Sequence, residues 1–164
     1  MKNLLYINRE IHPLDVLEDI AECENFTFTR SSPDELDLSI SGKNCNYNIN
    51  FNWNNKLEGI HVALFFDTKI PQYRLDEVYK LTIKINELMW LGHFDVWDKE
   101  GLIIYRNSSI IDRTNLNLET IETLLLDAVN SIDLYFPAFQ YILWAGKTSE
   151  EALSTVLFET RGEA

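Results

Sequence analysis

His93-Phe94-Asp95 sets an imidazole and a carboxylate two residues apart, a spacing that points both to the same face of a strand. The pair offers two ligands to a metal ion. A third group would have to come from another element, and His12, His61 and Cys45 are the residues available for it. The sharpest chemical reading is a small enzyme whose site is assembled from His61, His93 and Asp95. Isolated histidines on half-buried strands are more often packing or hydrogen-bonding residues, so the residues themselves favour no metal and no catalytic group.

The remaining motifs weaken when their full requirements are applied. Gly146-Lys147-Thr148 has the ending of a phosphate-binding loop, but that loop needs a glycine where Tyr141 stands and a strand upstream, where a helix is predicted. Asp98, Glu100 and Gly101 lack the alternating oxygen ligands and late glutamate of a calcium loop. Asp34 and Glu35, Glu119 and Glu122, and Glu150 and Glu151 lie at helix starts or in polar turns, with no apolar frame to raise a pKa. Ser31-Ser32 and Ser108-Ser109 have no nucleophile elbow. No cofactor is expected.

The elements that carry these residues follow from periodicity. Pro13 opens a first helix at the position where its missing N–H is harmless, with Leu14, Leu17, Ile20 and Ala21 on one face. Its other face carries Asp15, Glu18, Asp19 and Glu22, with Glu24 near its end, where carboxylates oppose the helix dipole. This is either a solvated face or an acidic surface for a basic partner. From Phe26 the period becomes two. Leu36, Leu38 and Ile40, then Cys45, Tyr47, Ile49, Phe51 and Trp53, then Ile60, Val62, Leu64 and Phe66 give an antiparallel meander, with Phe26–Arg30 as a further candidate strand. Asparagines alternate with the apolar run from 45 to 53, so one face of that strand is expected to meet water.

A second helix is predicted from Leu75 to Leu91, stopped by Gly92 in a left-handed cap. A hairpin turns at Asp98–Gly101 and returns through Leu102–Arg106. A long aromatic helix, Leu118–Trp144, contains Pro137 and is expected to kink near Phe136. Thr148 and Glu151 form a capping box for a last helix, Ser149–Phe158. The order describes one α+β domain over 1–164: helix, antiparallel meander, helix, β-hairpin and long kinked helix, with a single layer of sheet covered by helices.

Composition narrows the partners. With 14 basic against 26 acidic residues the net charge is −12, which repels phosphate backbones and anionic lipid heads. Neither nucleic acid nor membrane is expected as a partner, whereas a basic protein or peptide is compatible. Cys23 and Cys45 read as two buried or half-buried thiols in a reducing cytosol, and no apolar run is long enough to span a bilayer. A cytoplasmic protein is expected. Trp53 and Trp144 read as core residues; Trp90 and Trp97 fall off their main apolar faces and suit an exposed patch for self-association.

Three segments together resemble the YbjN-like proteins of bacteria: Asn86-Glu-Leu-Met-Trp-Leu-Gly-His-Phe-Asp95, Gly101-Leu-Ile-Ile-Tyr-Arg106 and Tyr135-Phe-Pro-Ala-Phe-Gln-Tyr-Ile-Leu-Trp-Ala-Gly-Lys147. The ending Leu157–Ala164 resembles the α-proteobacterial branch. The resemblance implies a fold like that of type III secretion chaperones, and a non-enzymatic regulatory or chaperone-like protein of sensory transduction that binds other proteins as a homodimer. It places the dimer contact on the second helix and following hairpin, which in this chain selects Tyr79, Ile83, Trp90 and Trp97. Some relatives carry a diacylglyceryl transferase label, for which these residues supply neither a membrane span nor a catalytic pair.

Overall fold

The computed structural model describes residues 11–112, 116 and 118–162. His12 caps the first helix, α1 (Pro13–Glu24), its Nδ1 accepting the Leu14 N–H at 3.2 Å, and Asn25 ends it in the left-handed region. Four antiparallel strands follow as a meander: β1 (Thr27–Ser32), β2 (Glu35–Ser41), β3 (Asn46–Asn54) and β4 (Gly59–Lys69). The candidate strand after Phe26 is thus present. A short 3₁₀ turn leads into α2 (Leu75–Asn86), then β5 (His93–Trp97), β6 (Leu102–Ile110), α3 (Leu118–Leu143) and α4 (Ser149–Gly162). The sheet order is β1-β2-β3-β4-β6-β5, so the hairpin joins β4 through β6 and leaves β5 at one edge.

Strand alternation separates the two faces. Leu38, Ile49, Leu64, Tyr105 and Phe94 lie side by side across five strands, and all are buried. The helices cover this face. Phe136 of α3 stacks on Phe66 at 4.6 Å, and Phe139 and Tyr135 flank Phe94 at 5.4 and 6.0 Å. Val78, Leu81 and Ile85 of α2, and Ala152 and Val156 of α4, extend the same core. The opposite face is polar over β2 and β3, where the Asn50 amide donates to Asp37 at 2.8 Å and to Glu35 at 3.1 Å.

Two tyrosines tie α3 to the sheet. The Tyr47 hydroxyl of β3 donates to Asp133, which also accepts the Lys43 N–H at 3.2 Å. The Tyr105 hydroxyl of β6 donates to Asp127, and the Asn107 amide joins the same carboxylate at 3.0 Å. Both rings are fully buried, so each hydroxyl needs an acceptor, and a carboxylate is the strongest one available. Burial first, and the aspartate bond second, push both phenols well above the ordinary tyrosine range.

Several expectations are corrected. The helix predicted to Leu91 stops at Asn86, because that side chain bonds the β5 backbone instead of continuing the turn pattern. Gly92 is left-handed at φ +63° without capping that helix; a Cβ there would lie 2.2 Å from the Tyr105 hydroxyl. Cys45 precedes β3, and both it and Cys23 are exposed, not buried. Trp144 lies past the last turn of α3 and is exposed, since Ile142 and Leu143 take the core positions. On α2 the buried face runs through Val78, Leu81, Thr82 and Ile85, leaving Tyr79 and Ile83 outside. β6 and α4 are each four residues longer than predicted, reaching Ile110 and Gly162. In contrast to these corrections, the expected Thr148–Glu151 capping box is present and reciprocal, at 3.0 and 3.3 Å, and α3 runs as one helix through Pro137.

Because the folded chain holds Tyr47 and Tyr105 neutral beyond the pH near 10 at which unfolded tyrosines ionise, it binds more protons than the unfolded chain there. Stability therefore falls as pH rises through that value and above. In an ultraviolet titration these two of the seven tyrosines should ionise only with unfolding. Tyr105→Phe, which leaves the half-buried Asp127 carboxylate short of a donor, should cost about 1–3 kcal/mol in denaturant melts at neutral pH.

Candidate functional site

The three residues of the enzyme hypothesis do meet, around an arginine that the sequence reading left out. Arg106 lies on the helix-free face of β6, opposite His93 on β5 and Ala63 on β4. Its Nε donates to His61 Nε2 at 3.2 Å, and its Nη1 lies 3.4 Å from Asp95 Oδ2. Burial, then the charge of Arg106, then that of His93 lower the His61 pKa from its ordinary value of 6.5. Arg106 occupies the space between the groups, and none of His61, His93 and Asp95 lines a described hollow. Among the described residues no group of three or more His, Cys, Asp or Glu side chains is placed to hold a metal. The cluster is a charge-paired surface beside the edge-to-face pair Phe65 and Trp97, whose centroids are 5.6 Å apart.

At the β5 edge, alternate backbone groups would face solvent and invite another strand. They are taken by side chains. The Asn86 amide donates to the Phe94 carbonyl at 2.9 Å and accepts the Phe94 N–H at 2.8 Å. Asp95 Oδ1 accepts the Val96 N–H at 2.8 Å. Side chains thus occupy three of the backbone groups along β5, which hinders strand addition there and favours contact through side chains.

Those side chains are large and apolar. Trp90 is 99% exposed in the loop after α2, Ile83 is 61% exposed on the helix, and Tyr79 and Trp97 are about two-fifths exposed. Burial first, and the nearby Asp98 carboxylate second, raise the Tyr79 phenol above its ordinary range. Trp90, Met89 and Leu91 border a hollow of about 240 Å³ whose far wall is Leu134 and Tyr135 of α3.

The acidic face of α1 divides in two. Arg30 of β1 pairs with Glu18 at 3.0 Å and Asp15 at 3.5 Å, and also donates to the Ser32 and Pro33 carbonyls across the β1–β2 turn. Asp19 has interactions of its own, whereas Glu22 is exposed and makes no ion pair among the described residues. A single basic residue on β1, which no helical period could reveal, neutralises the first half of the face.

Set beside known proteins, residues 13–141 match the model of a family named YbjN and described as "Putative bacterial sensory transduction regulator". Among solved structures the fold is similar to YbjN from E. coli, itself described as "a putative transcription regulator". That likeness covers 94% of this chain and 95% of the other, with a TM-score of 0.51 and 12% identity, and so concerns the fold. No curated protein matches the chain in sequence.

Two measurements follow from the geometry. The His61 ring should titrate by NMR with a midpoint below 6.5, and Arg106→Gln should move it upward. Because protonation disfavours the folded form here, stability should decline as pH falls below that value, less so in His61→Gln. Asn86→Ala should cost about 1–3 kcal/mol by unbonding a strand amide and carbonyl, and should produce concentration-dependent association through the opened edge.

Proposed function

We propose, since this chain belongs to the YbjN family, that it works as a regulatory binding module that carries out no chemical step and acts as a homodimer. The observation that carries this reading is the surface at the α2–β5 end. Trp90, Ile83, Tyr79 and Trp97 present apolar area to solvent while the adjacent strand edge is partly covered. A large apolar patch that stays exposed in a folded chain marks a contact surface, and tryptophan and tyrosine are the side chains that anchor such contacts. A twofold axis would let each copy bury the ring that the other offers.

The charge supports a proteinaceous, chaperone-like role. At −12 the chain repels nucleic acid, so a regulatory effect on transcription would pass through another protein. None of the described helices is long and apolar enough to cross a membrane. Function in the cytoplasm with a basic protein partner fits these features.

Sedimentation at micromolar concentration should give the mass of a dimer for the wild-type chain. Trp90→Ala combined with Trp97→Ala should weaken association by at least about a hundredfold and leave monomers, with the circular dichroism of the fold retained. A dimer of undiminished affinity in the double variant would remove these residues from the interface.

A further inference from the structure

The end of α1 opposite its arginine-paired half meets α3 across a groove. Ile20, Leu126 and Val129 form its walls, Phe26 and Ile40 its floor, and it encloses about 310 Å³ while staying open to solvent. Leu126 is 58% exposed there. The rims are acidic: Glu24 on α1 and Glu122 on α3. Neither makes an ion pair with the described residues, in contrast to Asp15 and Glu18.

The placement of Glu24 is unfavourable in the free chain. It lies in the last turn of α1 with Glu22, at the negative end of the helix dipole, and that turn holds no basic residue. The acids of α2 and α4, Asp76, Glu77, Glu150 and Glu151, stand in first turns, where the dipole stabilises them. An apolar trough bordered by a carboxylate at the end of α1 and another near the start of α3, neither ion-paired among the described residues, is complementary to apolar side chains flanked by cations.

We propose that the α1–α3 groove receives a lysine- or arginine-rich amphipathic segment of a partner protein, its leucine-like side chains on Phe26 and Ile40 and its cations against Glu24 and Glu122. A second copy of this acidic chain would bring like charge to the rims, and an anionic lipid surface would do the same. The proposal names the partner's chemistry and rests on the reading of the chain as a protein-binding module.

The test uses the full chain and a synthetic amphipathic helix of leucine and lysine, with leucine–glutamate and serine–lysine helices as controls. NMR titration should move Ile20, Leu126 and Val129 with the leucine–lysine peptide alone. Glu24→Gln with Glu122→Gln should weaken binding about tenfold or more, and Leu126→Ala should weaken it as well. Glu87→Gln with Glu100→Gln, an equal change of net charge beside the Trp90 surface, should alter it less than about twofold. Shifts centred on Trp90, equal losses in both charge variants, equal binding of the leucine–glutamate helix, or no binding would each overturn the proposal. Because dimerisation is read separately by sedimentation, a failed groove with an intact Trp90-dependent dimer leaves the regulatory reading in place. A monomer that still binds at the groove strikes only the dimer.

Discussion

One face of the sheet is apolar and covered by helices, and the longest of them, α3, is held in place by two tyrosine–aspartate bonds. Hydrophobic contact alone would let α3 slide, since its aromatic side chains meet a broad apolar surface. The hydroxyls of Tyr47 and Tyr105 remove that freedom, because each is fully buried and must find its carboxylate. Once α3 is fixed, Phe136 falls on Phe66 and Phe94 is enclosed. The same fixation sets one wall of the α1–α3 groove and one wall of the hollow behind Trp90. Both candidate contact surfaces therefore inherit their shape from two hydrogen bonds in the core.

Much of the fold could be read from local pattern. The asparagine alternation of β3, the proline and cap of α1 and the box at Thr148 are signals contained within a few residues, and their physics is local too. What escaped depends on partners distant in sequence. Nothing near Asn86 announces that its amide will bond a strand, so the helix seemed to run on to Gly92. Arg30 sits on a strand that gave the weakest periodic signal, and it decides which half of the acidic face is neutralised. His61, His93 and Asp95 were identifiable by type, and they do converge, but Arg106 between them turns a potential site into a charge-paired surface. Trp144 illustrates a boundary effect: one residue beyond the helix end, an aromatic leaves the core.

The two surfaces differ in chemistry. One is an aromatic patch on a partly covered strand edge, suited to a like-charged second copy because apolar area dominates it. The other is a trough with carboxylates at its rim, where a cationic segment relieves an electrostatic cost already present in the free chain.

The bond between Asn86 and Phe94 also bears on the order in which the chain reaches its native form. It links residues only eight apart, so it closes a short loop at small entropic cost and can form early with the β5–β6 turn. The joining of β6 to β4 is far less local, because it must bridge the whole excursion through α2. A block of α2, β5 and β6 formed in this way would meet β4 as one unit. The Asn86 bond would then already cover part of its outer strand, leaving β6 as the edge that β4 takes up.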